Sequence, residues 1–105
     1  MSESPIDFNG LDSAVYGPVR LGVLTALQMG GSLDFTTLKK RLDVTDGALG
    51  LHLLKLEEIA YVTCRKSFVG RRPKSTYTIT AKGKRALATY LDAMQELINA
   101  LEKSE

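Results

Sequence analysis

The run from Leu33 to Leu56 constrains this chain most: two amphipathic stretches lie there with only Asp43 and Val44 between them. In the first, Phe35, Leu38 and Leu42 recur at helical spacing. Asp34 stands before them as an N-cap, able to accept from orphan backbone N–H groups. Leu33 and Leu38 flank that cap with the spacing of a hydrophobic staple. Lys39, Lys40 and Arg41 fall near the C-terminal end, where positive charge suits the helix dipole. In the second stretch, "TDGALGLHLLKLEE", Thr45 is the N-cap and Asp46 suits the first turn. Leu49, Leu53 and Leu56 follow at i, i+4 and i+7 as one buried face. A link this short makes the pair a helix-turn-helix.

The flanking segments fix the rest of the fold. A helix begins near Pro18, because proline suits a first helical position, and Val19, Val23, Ala26 and Leu27 continue it, with Leu24 widening the stripe. Gly30-Gly31 stops it. Residues 1–10 are expected to be flexible, and Leu11 to Tyr16 to form an earlier helical turn or separate segment. After the helix pair the period changes. "AYVTCRKSF" alternates between two faces, "VGRRPKS" is a turn, and "TYTIT" is a β-branched and aromatic strand. The result is a hairpin whose tip carries Gly70, Arg71, Arg72, Pro73 and Lys74. Thr80 then caps a final helix from Ala81 to about Glu102.

That last helix carries two apolar seams. Leu87, Leu91, Met94, Ile98 and Leu101 form one; Ala86, Tyr90, Ala93, Leu97 and Ala100 form the other, one residue earlier. One stripe suffices to bury a surface helix, so two give an apolar face broader than a small domain covers. A second copy of the chain is the expected cover, meeting it at Leu87, Tyr90, Leu91, Met94, Leu97, Ile98 and Leu101; the alternative is another protein on this seam, in a chain that serves as a protein-interaction module without DNA binding. The 105 residues thus read as one mostly α domain with a small β-hairpin: a winged helix-turn-helix extended by a long dimerisation helix.

Charge points to the partner. The net charge is only +2, but Ile59 to Leu91 holds no acidic residue. In the same span stand Arg65, Lys66, Arg71, Arg72, Lys74, Lys82, Lys84 and Arg85. A one-signed region in a near-neutral chain is the footprint of a polyanion partner. Cys64 is the sole cysteine, which excludes an intramolecular disulfide and fits a reducing compartment. With no leader-like N-terminus and no membrane-length apolar run, a cytoplasmic location is expected. The inventory offers no nucleophile–His–acid set, no phosphate-cradling loop, no paired carboxylates and no cluster with metal-ligand spacing. Catalysis, a cofactor and a resident metal are therefore not expected, and no convergent polar cluster marks an effector pocket.

Several pieces together, "LTALQMGGSLDFTTLKKRL", "TDGALGLHLLKLEE", "GRRP" and "TITAKGKRAL", resemble the winged-helix transcriptional regulators related to the MarR and ArsR groups. The likeness runs from about Val19 to Tyr90. It implies DNA binding as a dimer and control of transcription. On that reading the N-terminal part of the third helix, Thr45 to Lys55, enters a major groove, and the hairpin tip lies beside it. The expected DNA contacts are Thr45, Asp46, Gly47, Ala48, Leu51, His52, Lys55, Lys66, Arg71, Arg72 and Lys74, on a pseudo-palindromic duplex.

One departure from such regulators stands out. They often hold polar residues where this chain has Ala48 and Gly50. Gly47, Ala48 and Gly50 thin the outer face of the helix, at about 1 kcal/mol of helix propensity per glycine. Either a close approach to base edges or packing against another helix accounts for them. Leu51 is suited to a thymine methyl. Modest base specificity is expected, with weight on phosphate contacts and DNA shape. His52, the only histidine, stands either at the edge of the Leu49/Leu53 face or, by resemblance to the "HL" of related regulators, at the DNA backbone.

Overall fold

The computed structural model describes Ala14, Val15 and residues 17–104. In chain order the elements are α1 (Pro18–Gly30), β1 (Leu33–Asp34), α2 (Phe35–Leu42), α3 (Asp46–Glu58), β2 (Val62–Val69), β3 (Arg72–Ile79) and α4 (Ala81–Lys103). The expectations for residues 1–10 and for most of Leu11–Tyr16 lie outside the described residues. Within that segment Ala14 and Val15 form a turn, and Val15 is buried in the core.

The helix starts follow from their caps. The Asp34 carboxylate accepts from the Thr37 N–H at 2.8 Å, the Thr45 hydroxyl from the Ala48 N–H at 3.2 Å, and the Thr80 hydroxyl from the Gly83 N–H at 2.9 Å. α1 has Pro18 in its first turn and no side-chain cap, and it ends where Gly31 adopts φ 81°. Between α2 and α3, Asp43 takes a left-handed conformation (φ 52°), and its N–H donates to the Lys39 carbonyl at 2.9 Å.

α3 ends in a Schellman arrangement built without glycine. Ala60 sits at φ 62°; its N–H donates to the Glu57 carbonyl at 3.0 Å, and the Tyr61 N–H donates to the Leu56 carbonyl at 2.9 Å. This end is stitched to the start of α4. The Thr80 N–H donates to the Tyr61 carbonyl at 3.0 Å, the Thr80 hydroxyl to the Ala60 carbonyl at 2.6 Å, and the Lys82 ammonium to the Ile59 carbonyl at 3.0 Å. Gly83 permits the approach, because a Cβ there would collide with the Tyr61 carbonyl and lie 2.8 Å from Ile79.

The sheet has three antiparallel strands in the order β1-β3-β2. The third strand, β1, was not expected from the sequence; it is two residues long and pairs Leu33 with Tyr77 and Asp34 with Thr76. The core gathers Val23, Leu24 and Leu27 of α1, Leu38 of α2, and Leu49, Leu53 and Leu56 of α3. The inner sheet face adds Val62, Tyr77 and Ile79. Burying each of these large aliphatic side chains contributes roughly 1.5–3 kcal/mol.

The final helix corrects one expectation. Leu87 and Tyr90 are 3% and 4% exposed within the single chain, where they complete the core under α4. They are committed to the domain's own core and leave the set open to a partner. Leu91, Ile98 and Leu101 remain exposed, with Met94 and Leu97 half-buried. Both seams therefore divide along their length. The early part of the helix covers its own domain, and the later part carries an uncovered apolar face.

Candidate nucleic-acid interface

α3 and the β2–β3 hairpin form the candidate surface, and α3 packs directly on β2. The buried face of α3 is Leu49, Leu53 and Leu56; its opposite face is Gly47, Leu51, Leu54, Lys55 and Glu58. Leu51 and Leu54 are 57% and 51% exposed, although leucine is ordinarily a core residue. Among the described residues, a Cβ added at Gly47 or Gly50 meets nothing within 4 Å. Packing among the described residues of one chain therefore requires neither glycine.

The charged groups on α3 are largely neutralised locally. Lys39 of α2 meets Asp46 at 2.8 Å, and Lys55 lies 3.8 Å from Glu58. His52 is not free at the surface: the Arg20 Nε–H of α1 donates to its Nδ1 at 3.1 Å. That tie joins residues 32 positions apart and was not legible in the sequence. It anchors α3 to α1 and leaves Nε2 as the nitrogen for an outside partner.

The hairpin differs from the sequence reading. β2 and β3 pair along their whole length, up to Val69 opposite Arg72, so only Gly70 and Arg71 form the turn. Gly70 adopts φ 65°, the glycine-first pattern of a II′ hairpin turn. Arg72, Pro73 and Lys74 are therefore strand residues and not loop residues. Strand alternation separates them. Arg65, Arg72 and Lys74 lie on the outer face, while Lys66 shares the inner face with Phe68 and Pro73. Lys74 also lies 3.9 Å from Asp34, the α2 cap. Its charge is partly answered inside the domain, and the hairpin end is carried by Arg71 and Arg72.

Asp34 holds its carboxyl below the usual 3.8, first because the Thr37 side chain and N–H donate to it and then because Lys74 lies nearby. On the inner sheet face, burial pushes the Tyr77 hydroxyl up to about 12, and hydrogen bonding with Cys64 across the ladder adds to this. Lys82 is structural: besides its bond to Ile59 it lies 5.7 Å from the centroid of the Tyr61 ring. Exposed Phe68 and Val69 near the turn were absent from the expected site. Their strand-like spelling gave no signal that this end of the hairpin is left uncovered. Among the described residues no cluster of His, Cys, Asp or Glu is able to hold a metal ion, and no helix is long and apolar enough to cross a membrane.

A helix-turn-helix whose second helix lies beside a basic two-stranded hairpin is a winged helix. Residues 19–98 match the family described as the winged helix DNA-binding domain, and the chain belongs to that family. It is 37% identical over 84 residues to an uncharacterized protein of Methanocaldococcus jannaschii, covering 80% of this chain and 91% of the relative. Its structure is similar to that of a transcriptional regulator homologue from Pyrococcus horikoshii OT3, with a TM-score of 0.78 and 29% identity. That match spans 88% of this chain and 92% of the other. A MarR-family transcriptional regulator from Enterococcus faecalis V583 shares the fold at a TM-score of 0.68 and 24% identity, over 88% and 82% of the two chains.

Proposed function

We propose that this chain binds double-stranded DNA as a homodimer and regulates transcription, acting as a repressor. The observation that carries the reading is the joint surface of α3 and the wing. A thin, exposed helix face stands beside a hairpin ending in Arg71 and Arg72, and packing of α3 on β2 holds the two together. In this reading Thr45, Gly47, Ala48 and Leu51 enter the major groove, and Lys55 and the free Nε2 of His52 meet its backbone. Asp46 keeps its contact with Lys39 at the groove edge. Arg71 and Arg72 reach the adjacent groove or phosphates, with Lys66 behind them and Lys74 in a lesser role beside Asp34. Membership of the family supports the DNA partner, and the likeness to regulators from other organisms supports a role in transcription.

The exposed face formed by Leu91, Met94, Leu97, Ile98 and Leu101 supports the dimer, which would pair two recognition helices on a two-fold duplex. Selection from a random DNA pool tests this arrangement. It should enrich pseudo-palindromes with half-sites about one helical turn apart; a single unpaired half-site, or no enrichment, counts against the selective dimer.

A second reading is favoured by Leu51 and Leu54 alone: such a helix face also suits an apolar protein groove. The wing discriminates. Reversing Arg71 and Arg72 should abolish DNA binding, whereas an apolar partner would be retained.

A further inference from the structure

We propose that α3 reads its site by covering thymine methyl groups, with Leu51 as the main reading residue and Leu54 as the second. The inference rests on the DNA-binding reading and adds the chemistry by which bases are told apart. Its starting point is what α3 lacks. Recognition by hydrogen bonds needs a side chain of the Arg, Asn or Gln type at the centre of the outward face. Here that centre is Leu51, flanked by Gly47 one turn before and Leu54 one turn after. The polar groups nearby already have partners: Asp46 with Lys39, His52 Nδ1 with Arg20, and Lys55 near Glu58.

The major groove offers one apolar group, the C5-methyl of thymine. A leucine half in solvent is matched to it, because both partners lose water-exposed apolar surface on contact. The glycines supply the approach. With no side chain at Gly47 or Gly50, and open space where a Cβ would stand, the helix backbone is able to seat deeper and bring Leu51 to the methyl plane. Three residues along a helix rise about 4.5 Å, so Leu51 and Leu54 reach neighbouring base pairs. Cations on the wing, with Lys55 at the edge of this face, supply the phosphate attraction. The expected preference is therefore for A·T-containing half-sites, recognised by the methyl and not by the amino or carbonyl edges.

The test compares duplexes that differ only in that methyl. Binding is measured by fluorescence anisotropy at low and moderate salt, on alternating dA-dT against dA-dU, and on alternating dI-dC against its 5-methylcytosine form. Removing the methyl should weaken binding roughly three- to fourfold for each methyl covered, and adding it should strengthen binding by the same factor. Leu51→Ala should reduce both differences, and Leu51→Ala with Leu54→Ala should erase them, while the salt dependence stays intact; as exposed helical positions both leave the fold unchanged, checked by circular dichroism. Salt-dependent binding that is equal on methylated and unmethylated duplexes would overturn the methyl readout and leave DNA binding standing. No binding to any duplex at low salt would overturn both readings.

Discussion

Gly83 differs from Gly47 and Gly50 in what it faces, and the difference is testable. Gly83 is required by packing, because a Cβ there would meet the Tyr61 carbonyl where α4 begins. Gly83→Ala should lower unfolding free energy by about 1–3 kcal/mol, the usual range for overpacking. Gly47 and Gly50 face open space, so alanine at either should raise stability by up to about 1 kcal/mol. The same substitutions should weaken DNA binding by holding the helix away from the groove. A denaturant series beside a binding titration separates the two effects; a gain in stability with undiminished binding would show that the thin face has no role. Tyr77 gives a pH signature. Its hydroxyl titrates at about 12 folded against 10.0 in the unfolded chain. The folded state therefore keeps a proton the unfolded state has lost, and the contribution is fully present below pH 10.0 and lost as pH rises toward about 12. Tyr77→Phe should flatten the difference in stability between neutral pH and pH about 11 relative to the parent chain.

At the scale of elements, caps and periodicity were legible in the sequence, because each rests on residues a few positions apart. Asp34, Thr45 and Thr80 cap the helices their spelling announces. What long-range packing decides was not legible. β1 has no alternation to read in two residues; it exists because Leu33 and Asp34 leave α1 alongside β3. The hairpin read as a long loop because Gly70 to Lys74 is rich in turn residues, yet Gly70 with Arg71 suffices to reverse the chain, and Pro73 is accommodated within β3. Helical spacing marked both seams of α4 as apolar but had no means of assigning Leu87 and Tyr90 to the chain's own core. The tie from Arg20 to His52 was equally invisible. Asp34 joins two elements, capping α2 and lying near Lys74 of β3. Asp34→Ala should lower stability by about 1 kcal/mol near neutral pH. Because its carboxyl is held below 3.8, that contribution belongs to pH values above 3.8 and disappears as pH falls through the lower folded value. The difference between parent and variant should therefore vanish in acid, as thermal melts across that range would report.

At the scale of the whole molecule, the proposed dimer joins a reading head to a pairing helix. The exposed stripe Leu91, Ile98 and Leu101 ends with a residue 70% in solvent, an arrangement a monomer gains nothing from keeping. Ile98→Glu with Leu101→Glu should give a monomer by analytical ultracentrifugation, with its own core intact, since Leu87, Tyr90 and Ala93 are untouched. That monomer should bind an isolated half-site but lose affinity for a paired one. The central claim, that α3 and the wing together engage DNA phosphates, is tested most directly by a salt series. Anisotropy on random-sequence duplex should be measured for the parent chain beside Arg71→Glu/Arg72→Glu. With three or four phosphates neutralised per subunit, log K should fall with log salt at a slope of roughly −5 to −7, and the double variant should lose binding at moderate salt. A slope near zero, or a double variant that binds as the parent does, would contradict the account.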